Sequence, residues 1–115
     1  MPQECLARAE DCAADFRTTD PGVLGTALPI RGVADDQHAV LAGQACLACG
    51  DVKSTYGTGA FLMLNTADRP VRSSSRLLMT VAYRLNGRTT YAPEGSILSA
   101  SATVQWLRDG LGLIG

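Results

Sequence analysis

Cys46 and Cys49 are separated by two residues, a spacing found in zinc sites and in dithiol redox pairs, and His38 lies nearby in the sequence. A zinc site usually brings a second C-x-x-C or a pair of histidines, and this chain has 1 His. A redox pair would lie at a helix N-terminus, whereas these cysteines end an apolar run just before Gly50. Small, partly buried apolar residues are therefore the favoured interpretation, and no zinc site is expected.

Other polar and aromatic residues are equally unspecific when each is taken alone. Asp36 precedes an apolar helical run and by itself is favoured as a helix N-cap. Gly57-Thr58-Gly59 alone is more often a hairpin turn than a phosphate loop. Phe61 and Trp106 alone are expected in the core, and Gln105 on a helix surface. The order of motifs along the chain must therefore carry any functional assignment.

Composition favours one domain of balanced charge. The chain has 115 residues, is 46% hydrophobic and carries 10 Lys+Arg against 11 Asp+Glu, and a domain of this size is expected to bury roughly two thirds of its unfolded surface. This balance argues against nucleic acid and anionic lipid as partners. No apolar run is long enough to cross a bilayer, and charges interrupt residues 1–15 where a signal peptide would be apolar. A cytoplasmic location, with reduced thiols, is expected.

Periodicity and turn residues predict the elements that must position these side chains. Asn86-Gly87 is a type I′ turn signal between two strands, and this hairpin is the firmest local prediction. An amphipathic helix is predicted over 97–109 and a buried one over 38–48. The other predictions are a short helix or frayed lead-in over 1–15, a turn over 18–22, strands over 28–34, 52–56, 60–65, 77–85 and 88–92, and a polar loop over 66–76. This order indicates an α/β or α+β fold.

Four stretches resemble the FGGY carbohydrate kinases and occur in that family's order. They are Leu28–Gln37, similar to a strand ending in Gly-Asp-Gln, then Gly43–Cys46, Lys53–Leu62, and Glu94–Ile97 continuing to Val104–Asp109. Gln37 after Asp36, and the Gln-Trp-Leu-Arg-Asp helix, look most like the glycerol kinase branch. The matched stretches cover the chain from about residue 18 to its C-terminus, which makes chance similarity a poor explanation.

The resemblance implies a partial ribonuclease-H-like, actin-like ATPase domain, with a mixed sheet, a β-hairpin and two main helices. Residues 28–115 would form the N-terminal half of the family's C-terminal domain, and residues 1–27 a lead-in segment. In the family the active site lies in the cleft between two such domains. The first domain and the adenine-binding segment have no counterpart here.

The resemblance also implies ATP-dependent phosphorylation of glycerol to glycerol 3-phosphate. Asp36 is similar to the catalytic general base, which takes the proton of the attacking hydroxyl. Gln37 is similar to a residue that hydrogen-bonds glycerol, and Phe61 to an aromatic that packs on its carbons. ATP and Mg²⁺ are the implied cofactors, with Asp36 holding Mg²⁺ through water.

The residues implied to bind ATP are Gly57, Thr58 and Gly59 of a phosphate loop, together with Ser101 and Gln105. Two of the family's usual glycines are replaced here, by Asp35 and by Ser101. Asp35 puts a second carboxylate beside the proposed base, and Ser101 adds a side chain on the nucleotide side. Both substitutions are expected to lower activity.

Three functional hypotheses follow from these observations. The chain is part of a working glycerol kinase, with the missing kinase domain supplied by another chain and glycerol or a related polyol as substrate. Alternatively it is a catalytically inactive remnant, or an oligomerising scaffold module that pairs with its own copies. A small thiol or metal protein is the third and weakest hypothesis.

Overall fold

The computed structural model describes residues 2–115. After a 3₁₀ turn over Gln3–Cys5, this part of the chain forms six strands and three short helices. The strands are β1 Ala13–Thr18, β2 Pro29–Gly32, β3 Val52–Tyr56, β4 Ala60–Leu64, β5 Leu78–Leu85 and β6 Arg88–Ile97. The helices are α1 Pro21–Leu24, α2 Asp36–Gly43 and α3 Ser101–Gln105, and α3 continues as a π-helical turn over Trp106–Gly110. The expected α/β class is confirmed.

The main sheet has the strand order β3-β4-β6-β5. Its outer hairpin turns at Asn86 (φ 52°) and Gly87 (φ 74°), the two positive φ angles that a type I′ turn requires. The predicted hairpin is therefore confirmed, and so are the strands on either side of Gly57–Gly59. Strand β6 runs to Ile97, past the predicted end at residue 92, and includes Pro93. Pro93 pairs with Met79 of β5, and the pairing of β6 with β4 begins at Glu94, so the missing proline N–H removes no bond from the β4 ladder.

A second sheet pairs β1 with β2. The short helix or frayed lead-in predicted over 1–15 is wrong for its last residues, because Ala13 already belongs to β1. The small sheet joins the main one where the Cys12 N–H donates to Arg84 O at 2.8 Å. The expected mixed sheet is also wrong, since all four strand pairs within residues 2–115 are antiparallel. A parallel pair would need a long crossover, whereas β3–β4 and β5–β6 are joined by tight turns.

Helix α2 ends at Gly43, earlier than the predicted range of 38–48. The backbone N–H of Ala45 donates to Ala42 O and that of Cys46 to Leu41 O, both at 3.0 Å. These two bonds form a Schellman motif, which closes a helix through one left-handed residue. Here that residue is Ala45, with φ 56°.

The C-terminal helix also differs from its prediction over 97–109. Ile97 is still part of β6, and the helix begins only at Ser101. Trp106, expected in the core, is 56% exposed, and Val104 on the predicted apolar stripe is 56% exposed as well. This stripe therefore has no covering partner among residues 2–115.

The core is small and lies between α2 and the main sheet. Leu41 from the helix packs with residues from three strands and the loop after α2, namely Met63, Ala82, Ala92 and Cys46. The chain exposes 8627 Å², whereas a compact protein of this mass exposes about 6000 Å². It therefore buries about half of its unfolded surface rather than the two thirds expected.

The radius of gyration agrees with this openness. It is 18.7 Å, against about 13 Å for a compact domain of this length. No helix within residues 2–115 is long and apolar enough to span a membrane.

Candidate active site

The N-terminus of α2 places two carboxylates next to each other. Asp35 occupies the N-cap position, yet its side chain accepts no capping hydrogen bond and instead lies 3.1 Å from His38 Nδ1. Asp36 is the first helical residue, so its interpretation as an N-cap is wrong. Asp36 Oδ1 accepts from the Gln37 N–H at 2.6 Å, and Oδ2 has no partner among residues 2–115. An exposed carboxylate with one free oxygen can accept a proton from a ligand.

Lys53 is the polar residue that sequence reasoning missed. It lies on β3, is only 1% exposed, and is the only lysine in the chain. Its Nζ donates to Gln37 Oε1 and, at 3.1 Å, to Thr55 Oγ1. The bond to Gln37 joins the first turn of α2 to the sheet beneath it.

The alternation of side chains along β3 predicts that Lys53 is exposed, not buried. It puts Lys53 and Thr55 on one side and the apolar Val52 and Tyr56 on the other, which would send the lysine to solvent. The structure inverts this expectation because α2 covers the lysine side, leaving Val52 52% and Tyr56 77% exposed. No local signal in the sequence reveals a helix packed above that strand.

Burial and nearby charges have opposite effects on the pKa of Lys53. Burial lowers the pKa of its ammonium group below the usual value. The negative charges of Glu94 and Asp36 act against this lowering and favour the ammonium form, as does Cys46 to a smaller extent. Within residues 2–115 no carboxylate pairs directly with Nζ, so neutral oxygens supply its hydrogen bonds.

Phe61 lies on β4, directly opposite Thr55 of β3 and Ser96 of β6. Residues opposite one another in an antiparallel pair share a face. Phe61 is thus on the same face as Lys53 and is half-buried. The structure therefore brings Gln37, Lys53 and Phe61 to one side of the main sheet.

The Gly57–Gly59 loop lies against the start of α3. The N–H of Ala100 donates to Thr58 O at 2.8 Å, and that of Ser101 to Gly57 O at 3.2 Å. Gly59 is required for close packing, because a Cβ there would lie 2.7 Å from Ile97 O. Among residues 2–115, neither the N–H nor the hydroxyl of Thr58 has a hydrogen-bond partner.

The predicted site residues thus form two groups. Asp36, Gln37 and Phe61 lie around α2 and the sheet face that it approaches. Gly57, Thr58, Gly59 and Ser101 are held together by backbone hydrogen bonds, and Gln105 is exposed one helical turn further on. Strand β3 connects the groups, since Gly57 follows Lys53 by four residues, about 13 Å along an extended strand.

Within residues 2–115, no thiol is hydrogen-bonded to a residue of either group. Cys46 is 8% exposed and packs in the core, whereas Cys49 is exposed. Residues 2–115 contain no cluster of three or more His, Cys, Asp or Glu side chains arranged to hold a metal ion. All four cysteines are free thiols.

Comparison with known proteins accounts for nearly all of the chain. The glycerol kinase of Alteromonas mediterranea is 60% identical over 114 residues, which are 99% of this chain and 23% of that enzyme. The glycerol kinase of Allorhizobium ampelinum is 61% identical over 115 residues, which are 100% of this chain and 23% of the enzyme. The chain is homologous to one segment of glycerol kinase. The resemblance to the FGGY carbohydrate kinases is thereby confirmed.

The chain spans about a quarter of the length of the glycerol kinases it matches, 23% in each case above. Its fold matches part of the Plasmodium falciparum glycerol kinase solved with ADP, with a TM-score of 0.81 and 36% sequence identity. The match covers 90% of this chain and 21% of that enzyme. No family model matches the chain.

Proposed function

We propose that this chain carries part of the active site of an ATP-dependent glycerol kinase, which forms glycerol 3-phosphate. The observation that supports this most is the 60% identity to glycerol kinase over 114 residues, a stretch that includes Asp36 and the Gly57–Gly59 loop. The chain spans 23% of that relative, so a complete cleft requires the remaining kinase segments. The partner is therefore a polypeptide that supplies the missing kinase domain.

Asp36 acts as the general base in this proposal. Its carboxylate is exposed at the first turn of α2, where the helix dipole favours a negative charge. Oδ1 is held by the Gln37 N–H, which fixes the carboxylate and leaves Oδ2 to take the proton of a substrate hydroxyl. Gln37 would bind the polyol, and Phe61 would pack against its carbons.

The Gly57–Gly59 loop would hold ATP phosphates together with Ser101, and Gln105 would lie on the nucleotide side. The unpaired N–H and hydroxyl of Thr58 fit this role, because Thr58 is exposed and both groups are donors suited to phosphate oxygens. ATP would supply the phosphoryl group, with Mg²⁺ balancing its charge. Asp36 would hold Mg²⁺ through water, since its free Oδ2 is an oxygen acceptor of the kind Mg²⁺ prefers.

Within the whole enzyme, we place residues 28–115 in the N-terminal half of a ribonuclease-H-like, actin-like C-terminal domain. Residues 1–27 lead into it, with β1 pairing to β2 across this boundary. A cytoplasmic location follows from the proposed use of ATP.

A second candidate function is that of an inactive remnant or an oligomerising scaffold module. The exposed apolar stripe of the C-terminal helix and the radius of gyration of 18.7 Å favour it. Size-exclusion chromatography with an apolar dye tests it. A defined oligomer that binds little dye would support the module, whereas strong dye binding would support an uncovered kinase segment.

The catalytic proposal is tested in a chimera. This chain replaces the corresponding segment of the Alteromonas mediterranea glycerol kinase, and ADP release is measured with Mg-ATP and glycerol. We expect glycerol-dependent turnover that Asp36→Asn reduces by about 10²-fold or more, as for loss of a general base. Turnover that survives Asp36→Asn would reject Asp36 as the base. The isolated 115-residue chain, with its own Asp36→Asn control, is expected to show no turnover.

A further inference from the structure

Lys53 is a buried charge whose bonds run to the candidate substrate residue. It is 1% exposed, and its two hydrogen-bond acceptors are Gln37 Oε1 and Thr55 Oγ1. A buried ammonium group is costly unless it is hydrogen-bonded, and hydrogen bonds from a charged donor are among the stronger ones. The Lys53–Gln37 bond therefore constrains both partners.

The hydrogen-bonding capacity of the Lys53 ammonium group determines which end of the Gln37 amide faces it. A lysine ammonium can donate but cannot accept, so only the amide oxygen of Gln37 can face it. The Nε2 end must then point away from Nζ. Among residues 2–115, Nε2 has no hydrogen-bond partner, which leaves two free N–H donors at the N-terminus of α2.

We propose that Lys53 is a positioning residue that orients the Gln37 amide, so that Gln37 serves the substrate as a hydrogen-bond donor. This inference rests on the proposed function. The proposal gives two adjacent residues opposite hydrogen-bonding roles. Gln37 donates to a lone pair of one polyol oxygen, whereas the Asp36 carboxylate accepts a hydroxyl proton. The substrate group that faces Gln37 is thus an oxygen that accepts, such as a hydroxyl oxygen, and a protonated amine would be rejected there.

The orientation is tested first without any activity. The full 115-residue chain is labelled with ¹⁵N-glutamine, and the Gln37 side-chain amide signal is assigned by its loss in Gln37→Met. We expect Lys53→Met, which keeps the apolar stem of the side chain, to shift this signal and leave that of Gln105 in place. A Gln37 signal that coincides with that of solvated glutamine in the wild type, or that ignores Lys53→Met, would overturn the proposal.

Steady-state kinetics in the chimera then separate positioning from support of the fold. Lys53→Met should raise the KM for glycerol up to about tenfold, the equivalent of one hydrogen bond between neutral groups, and leave the KM for ATP unchanged. Gln37→Met should have the same effect, and the double variant should be no worse than either single one, because both remove one interaction. Additive effects, or a parallel rise in the KM for ATP, would contradict positioning.

Gln37→Glu separates the two roles of the amide most clearly. It keeps an oxygen for Lys53 and removes the outward donor, so the KM for glycerol should rise without a fall in the melting temperature. An unchanged KM would overturn the donor role of Gln37. A chimera that is inactive even with the wild-type segment would count against the proposed function, and the glutamine spectrum would still decide the orientation.

Discussion

Helix α2 and the C-terminal helix are both rich in apolar residues, yet those of α2 are buried more deeply than those of the C-terminal helix. Leu41 of α2 and Met63 of the sheet below it are 0% exposed, and a hydrogen bond between Lys53 and Gln37 joins the helix to the sheet. Leu98, just before α3, is 85% exposed, and Trp106 is 56% exposed. Local composition is similar, so the contrast reflects whether a covering surface lies within this chain.

The attachments of the two helices differ in kind. Helix α2 is fixed by side chains, through the Lys53–Gln37 bond and the contact of His38 Nε2 with Thr80 Oγ1 at 3.5 Å. The backbone N–H groups of Ala100 and Ser101 fasten the C-terminal helix to the Gly57–Gly59 loop. The proposed substrate residues on α2 are therefore anchored to the sheet of this chain, whereas the C-terminal helix is held at its start and leaves its apolar stripe uncovered within residues 2–115.

The largest expected effect is a loss of stability when a leucine of α2 is truncated, compared with a leucine just before the C-terminal helix. Leu41→Ala empties a fully buried position and should lower the free energy of unfolding by about 3 kcal/mol. Leu98→Ala changes an exposed residue and should stay within about 0.5 kcal/mol of the wild type. Urea denaturation measures both. Equal losses would mean that the C-terminal segment is buried in solution, for example by a second copy of the chain.

A smaller change, a gain in the free energy of unfolding, is expected from a substitution at the end of α2. Ala45 holds the left-handed position of the Schellman motif, with φ 56°, where a side chain is strained. Ala45→Gly should therefore stabilise the chain by about 1 kcal/mol, after the flexibility that glycine adds to the unfolded state. Ala42→Gly, at a helical position, is the matched control and should destabilise. A loss of stability with Ala45→Gly would show that the helix ends differently.

Restoring the family's glycines at positions 35 and 101 tests the two groups of site residues by their effects on kinetic constants. Asp35→Gly removes the carboxylate beside Asp36 and should raise kcat of the chimera a fewfold. Ser101→Gly removes a side chain next to the Gly57–Gly59 loop and should lower the KM for ATP. Steady-state kinetics with each substrate varied in turn measures both effects. Unchanged constants would mean that neither substitution damages the site.

The smallest expected effect is a pH dependence that belongs to Lys53. Burial lowers the pKa of Lys53 in the folded chain below the reference value of 10.5, so the unfolded chain binds that proton more tightly. Stability contributed by this group therefore rises as the pH increases from the lowered pKa toward 10.5. The difference in free energy of unfolding between wild type and Lys53→Met should shift in favour of wild type as the pH rises toward 10.5. A constant or opposite difference would contradict the lowered pKa.

Elements set by neighbouring residues were predictable from the sequence. The Asn86-Gly87 turn specifies its hairpin through the positive φ of both residues, and two glycines mark the reversal between β3 and β4. Of the candidate site, the motif order named Asp36, Gln37 and Phe61, and the structure brings these residues to one side of the main sheet. Their proposed roles stay predictions.

The features that sequence reasoning missed depend on distant partners. Strand β1 exists because β2, a dozen residues later, pairs with it, and no alternation in Ala13–Thr18 announces this. The C-terminal apolar stripe was assumed to be covered, although nothing within residues 2–115 covers it. Lys53 was overlooked because it is buried and bonded to Gln37 of α2, and no pattern within the strand encodes that contact.

The burial of the only lysine gives the chain a built-in reporter of motion. An acylating reagent can modify the Lys53 amine only when the chain opens around it, and such an opening breaks the Lys53–Gln37 bond to α2, because the folded chain leaves 1% of that residue exposed. The rate of lysine acylation, followed by mass spectrometry, therefore counts openings of this one helix and is insensitive to fraying of the C-terminal segment. A ligand that binds across Asp36 and Gln37 would slow the reaction, so the same amine would report occupancy of the proposed substrate site.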